Sequence, residues 1–201
     1  MSNFAKRKYK NTHFFGTLPV YIANEQRIND SNWFKKKIIY HEYGHVIDNQ
    51  RGLRQSDEVQ KLMKKHKDLL LNTEVVIRRD SKGIPTKTIS LAEDLYNRMK
   101  KENSALEELI NQRSGAGLST KEYKDIQEQL TSTADTILAL TKKYGWGHTP
   151  TYFQNESKRI AEYIAHAFEN AFMGNEKFRE LLPEIYDDIV DYIKGLKKYN
   201  S

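Results

Sequence analysis

The chain has 201 residues, 38% of them hydrophobic and 30% charged, with a formal net charge of +6; that is enough apolar material for a buried core and excludes disorder throughout. It has no cysteine, which excludes disulfides and thiolate ligands and leaves any transition metal to imidazole and carboxylate groups. With only 10 glycines and 4 prolines, the composition argues for a helix-rich globule rather than a β-sandwich.

The N-terminal stretch MSNFAKRKYKNTHFF is basic but lacks the apolar run of a signal peptide, and no later segment has the character of a membrane span. The expectation is a cytoplasmic protein with no membrane partner. Basic residues cluster at Lys6, Arg7, Lys8 and Lys10, at 35–37, around 61–67, and at Lys194, Lys197 and Lys198. Because acids alternate with them and no nucleic-acid motif accompanies them, they read as solvated helix faces, with nucleic acid as the alternative partner.

In chain order, Leu18 to Ala23 reads as a short strand, and Asn29-Asp30-Ser31-Asn32 supplies a cap for a helix over about 33–49. Gly52 stops that helix and Ser56-Asp57 starts another, in which Val59, Leu62, Met63, His66, Leu69 and Leu70 recur with helical spacing. Two β-branched runs flank Asp80-Ser81-Lys82-Gly83 and predict a β-hairpin. Long helical patterns over about 90–112 and 120–143 follow as an antiparallel pair, separated by the loop RSGAGLS. After the aromatic loop YGWGHTPTYFQNES come a helix over about 156–173 and a last helix opened by Pro183. The fold class expected is α+β, predominantly helical, in one domain over 1–201 with residues 71–143 as an insertion.

One stretch carries chemistry. In KIIYHEYGHVID, His41 and His45 lie four residues apart, so on a helix both imidazoles point to one side and can share a metal, zinc being the best suited. Glu42 is rotated about 100° from His41 and can stand beside the metal as general base without binding it. An ordinary amphipathic helix with satisfied histidines is the other reading. Gly44 costs helix stability of up to about 1 kcal/mol, which suits close approach by another backbone. Asp48, one turn beyond His45, can either accept the second N–H of a ligand imidazole or serve the helix end.

A catalytic zinc needs a third protein ligand. In RIAEYIAHAFENAFMGN the residues Ile160, Ile164, Ala167, Phe168, Ala171 and Phe172 form an apolar stripe and leave Glu162, His166 and Glu169 on the other side. That polar side faces either water or the motif helix. The pair formed by His41-Glu42-x-x-His45 and Ala161-Glu162-Tyr163-Ile164-Ala165-x-Ala167-Phe168 resembles the gluzincin metallopeptidases, most closely the branch containing the anthrax lethal factor catalytic domain. The resemblance implies a zincin-like fold, Zn2+ held by His41, His45 and Glu162, and a tyrosine hydroxyl that supports the oxyanion. Tyr152 is the first choice for that tyrosine and Tyr144 the second, with loop packing as the plain alternative. His166 stands where those relatives carry an acidic or amide group beside the ligands, and His148, a loop histidine beside Gly147 and Thr149, either approaches the site or is exposed to solvent.

The segments GHTPTYF, AEYIAHAFENAFMGN and LLPEIYDDIVDYI are similar to the tail of bacteriophage minor head, or head morphogenesis, proteins. Together the two resemblances span about residues 20–55 and 144–195. They imply a zinc-dependent metalloendopeptidase acting on a peptide or protein substrate, with phage capsid or portal proteins as partners, in the bacterial host cytoplasm or on the virion. The second function they imply is a catalytically silent docking component of the virion. The strand at 20–23 is the expected place for a substrate to align by β-addition.

Overall fold

The computed structural model describes residues 20–22, 27–29, 36–112, 117–149 and 151–198. Strand β1 (Val20–Ile22) pairs antiparallel with β2 (Arg27–Asn29), and both lie against helix α1 (Lys36–Arg51). A single 3-10 turn (Leu53–Gln55) leads to α2 (Asp57–Asn72), and the ribbon of β3 (Glu74–Arg79) and β4 (Pro85–Ser90) follows. The remaining elements are α3 (Leu91–Gln112), α4 (Gly117–Thr141), a second 3-10 turn (Tyr152–Gln154), α5 (Glu156–Met173), α6 (Glu176–Leu181) and α7 (Pro183–Lys198). The chain is therefore predominantly helical with two small antiparallel ribbons.

Local chemistry explains most of the boundaries. Gly52 adopts φ 62° after α1, Ser56 caps α2 by accepting from the Val59 N–H, and Asn155 caps α5 by accepting from the Lys158 N–H. At the tip of the β3–β4 ribbon the Asp80 carboxylate accepts from the Lys82 and Ile84 amides, and Gly83 sits at φ 80°, the turn chemistry the sequence predicts. The cap expected at 29–32 is different: Asn29 belongs to β2, and residues 30–32 lie outside those described. Neither β2 nor the short α6 is foreseen in the sequence, each being too brief to show a period.

Helix α5 is the centre of the molecule. Every residue from Arg159 to Asn170 is buried, because α1, α4 and α7 pack around it. The apolar stripe predicted from the sequence covers one part of that surface, and the polar stripe is buried too. Around α5 lies a core that includes Leu70, Leu95, Met99, Leu130, Ile137, Leu140, Phe178, Ile185 and Ile189, each less than 2% exposed. Two buried polar links tie helices together. Arg159 donates through Nη1 to the carbonyls of Ala139 and Leu140, satisfying the free end of α4. His66, which the sequence places on an apolar face, is wedged between the Tyr163 hydroxyl at 2.8 Å and Asp188 at 3.0 Å, joining α2, α5 and α7.

Helices α1 and α5 approach each other closely. A Cβ built on Gly44 would stand 2.7 Å from the Ala165 Cα and 3.2 Å from the Phe168 Cβ, so the absence of a side chain at 44 sets how near the helices come. Gly44→Ala is expected to push them apart and to destabilise the protein by about 1–3 kcal/mol, read as a lowered thermal midpoint. A midpoint at or above that of the parent would show that the crossing does not depend on this glycine.

Candidate metal centre

The α1–α5 crossing brings the two predicted histidines onto the predicted glutamate. His41 Nε2 lies 3.3 Å from Glu162 Oε2, and His45 Nε2 lies 3.7 Å from Glu162 Oε1. Helical geometry explains the meeting: His41 and His45 are a turn apart on α1, and Glu162, His166 and Glu169 lie on one face of α5. Gly44, between the two histidines, lets that face come within reach. Of the two readings of the α5 polar stripe, the one directed at the motif helix describes the structure: Glu162, His166 and Glu169 are each 4–5% exposed.

Further groups complete the surroundings. Glu169 Oε2 accepts from both His41 Nδ1 and His166 Nδ1, each at 3.1 Å. Asp135, on α4, accepts from His166 Nε2 at 3.1 Å and from His148 Nδ1 at 2.7 Å, and its second oxygen takes the His148 amide. His148 Nε2 in turn comes within 3.7 Å of Glu162 Oε2. The approach of the 148 loop to α4 depends on Gly147, at φ 129°, where a Cβ would lie 2.5 Å from the Asp135 carboxylate. The Tyr152 hydroxyl donates to Glu162 Oε1 at 2.7 Å, with its ring stacked on that of His148.

Each residue singled out in the sequence therefore has a definite place. His41, His45, Glu162, Tyr152 and His166 converge. Glu42 is half-buried, and its charge acts on the Tyr152 phenol, which puts it on the same side as that ring. Tyr144 points elsewhere, donating to Glu93 at 2.7 Å. Asp48 serves the helix end rather than a ligand imidazole: it is fully buried, accepts from the Arg54 amide and forms an ion pair with the Arg54 guanidinium. Asp135 and Glu169 were absent from the predicted site. The Glu169 position on the polar stripe was visible, but Asp135 lies on a different helix with no signal linking it to the motif.

The electrostatics identify what the centre lacks. Burial alone would push the Glu162 carboxyl up, yet the ring and charge of His41, at 3.3 Å, with His45 and His148 beyond, hold it well below the usual range. Burial likewise favours a neutral His41, but Glu162 and Glu169 on either side raise it well above the ordinary imidazole value. His45 is driven the other way, to about 3, by burial and by the charge on His41, so its ring keeps a lone pair. His166 is raised to about 9: burial opposes this, but the Asp135 charge and its hydrogen bonds prevail. Burial also raises Tyr152, reinforced by the Glu162 charge, so the phenol remains a proton donor.

These residues fit a divalent cation. Glu162 Oε2 is buried and accepts no hydrogen bond, although two imidazoles stand near it. Glu162, Glu169 and Asp135 are three buried carboxylates with no lysine or arginine partner among the described residues. With His166 an imidazolium and His41 giving up its proton to bind the ion, two negative charges remain, the charge of one divalent ion. His41, Glu162 and His166 each place a ligand atom within 4.8 Å of the others, as do Asp135, His148 and His166. A nitrogen and oxygen donor set without sulfur is one that divalent metal ions accept. Comparisons with protein-family models, with curated proteins and with solved structures returned no match, so the reading of this centre rests on its own geometry.

Metal uptake should release a proton from His41, which carries one in the metal-free protein, and none from His45, which does not. Zinc affinity measured by chelator competition is expected to rise as pH rises through neutrality, because the proton that Glu162 and Glu169 hold on His41 must leave first. A flat profile through neutrality would show that His41 is not displaced from its proton by the metal.

Proposed function

We propose that the chain is a zinc-dependent metalloendopeptidase in which His41, His45 and Glu162 hold the ion. The observation that carries this reading is the convergence of both motif imidazoles on one buried carboxylate that has an unsatisfied oxygen. A zinc ion bound there supplies Lewis acidity and brings the pKa of water toward neutrality. Glu42, next to His41 but outside the ligand set, removes the proton of the attacking water and returns it to the leaving amine. Tyr152, kept protonated by its surroundings, turns its hydroxyl toward the carbonyl oxygen as negative charge develops there. The β1–β2 ribbon lies against α1, and an extended substrate aligns along it by adding a strand. The similarity to phage minor head proteins suggests phage head assembly as the setting, with capsid or portal proteins as partners.

One observation favours the second reading, a docking component of a virion with a filled, silent metal site. His148 Nε2 approaches Glu162 as closely as His45 Nε2 does, so a third imidazole is at hand to close the coordination. Structural zinc sites have four protein ligands, whereas catalytic sites keep one position open.

Two substitutions separate these possibilities. Glu42→Gln is expected to keep zinc and to lower peptide hydrolysis by about 10³-fold. Tyr152→Phe is expected to keep zinc and to lower kcat by about 10²-fold with little change in KM. Zinc bound to the parent protein with no cleavage across a broad peptide library would reject the peptidase reading and leave the docking one.

A further inference from the structure

His166 makes a hydrogen bond from each ring nitrogen, whereas His41, with Glu169 at 3.1 Å and Glu162 at 3.3 Å, makes one only, to Glu169. Both His166 ring nitrogens face carboxylate oxygens, Nδ1 toward Glu169 Oε2 and Nε2 toward Asp135 Oδ2, each at 3.1 Å. An ionised carboxylate only accepts, so both contacts are N–H donations and the ring keeps no lone pair for a metal. His166 therefore stands among the converging ligand atoms without being a ligand.

Those two carboxylate oxygens are shared. Glu169 Oε2 also takes the N–H of His41 Nδ1 at 3.1 Å, and Asp135 Oδ2 also takes that of His148 Nδ1 at 2.7 Å. Each outer imidazole thus carries a proton on Nδ1 and turns Nε2 toward Glu162, at 3.3 Å for His41 and 3.7 Å for His148. Followed round, the contacts close on themselves: His41, Glu169, His166, Asp135, His148, Glu162 and back to His41. Imidazoles and carboxylates alternate through the whole ring.

We propose that His166 is the positioning residue of this centre: donating from both nitrogens, it acts through Glu169 and Asp135 to fix the tautomer and orientation of His41 and His148 together. A carboxylate commonly orients a metal-binding imidazole; here one buried imidazolium steadies two such carboxylates at once. Without its two N–H groups neither carboxylate keeps the donor that holds it in place, so the outer imidazoles lose their fixed partners. The proposal rests on the metallopeptidase reading only in assigning His41 as a ligand.

The test is heteronuclear NMR of uniformly nitrogen-labelled full-length protein. In the metal-free parent at neutral pH, His166 is expected to show two protonated ring nitrogens; a neutral His166 ring overturns the proposal. With an NMR-active cadmium isotope as the probe metal, scalar coupling is expected to nitrogens of His41 and His45; coupling to His166 also overturns it. In zinc-loaded His166→Gln, His148 is expected to lose its single Nδ1–H tautomer, because glutamine is neutral and cannot serve both carboxylates. Retention of that tautomer in a folded variant rejects the positioning role. The metal-free spectrum requires neither metal nor substrate, so a failure of metal binding or of hydrolysis is separable from a failure of this inference.

Discussion

The contact between Gly44 and the Ala165 backbone is the constraint on which the rest of the molecule depends. Helices usually pack with axes 8–10 Å apart, a distance set by the side chains between them. At this crossing one side chain is absent, and the Gly44 helix comes close enough for its neighbours His41 and His45 to meet Glu162. The glycine costs helix propensity locally, and the crossing offsets that cost by burying most of α5.

Once α1 and α5 are joined, the polar stripe of α5 has no access to water and must be satisfied from within. The protein does this with charge rather than by replacing the stripe with apolar residues. Helix α4 supplies Asp135, the loop after it supplies His148, and two carboxylates of α5 complete the ring around His166. Gly147 makes the loop contact possible in the way Gly44 makes the helix contact possible, by leaving out an atom that would meet the Asp135 carboxylate. Buried charge of this kind gains stability only when fully compensated, and the imidazoles of the ring offset its carboxylates in part. Fold and candidate metal centre are therefore one problem in electrostatics.

The region from 71 to 143 illustrates how function can be distributed. Its β3–β4 ribbon is almost wholly exposed, whereas α4 runs through the core and carries Asp135 into the centre. Residues between the His41–His45 motif and Glu162 in sequence are thus divided between a projecting arm and the inner wall of the site. Among the described residues, no helix is long and apolar enough to cross a membrane, and the longest helices owe their apolar faces to this core.

The sequence by itself determined the long helices, several of their ends and the motif, because helical period, Ser56, Gly52 and Pro183 act through neighbours a turn away. It also determined that Glu162 shares a face with His166 and Glu169, since spacing alone fixes that. Only the tertiary structure decided which way the face turned, because an amphipathic helix buried on all sides has the same period as one half in water. It likewise decided that Asp48 holds Arg54 while Asp135, on another helix, holds His148 and His166. Those pairings rest on helix crossings whose distance depends on side-chain volume at single positions, and no local pattern in the chain encodes them.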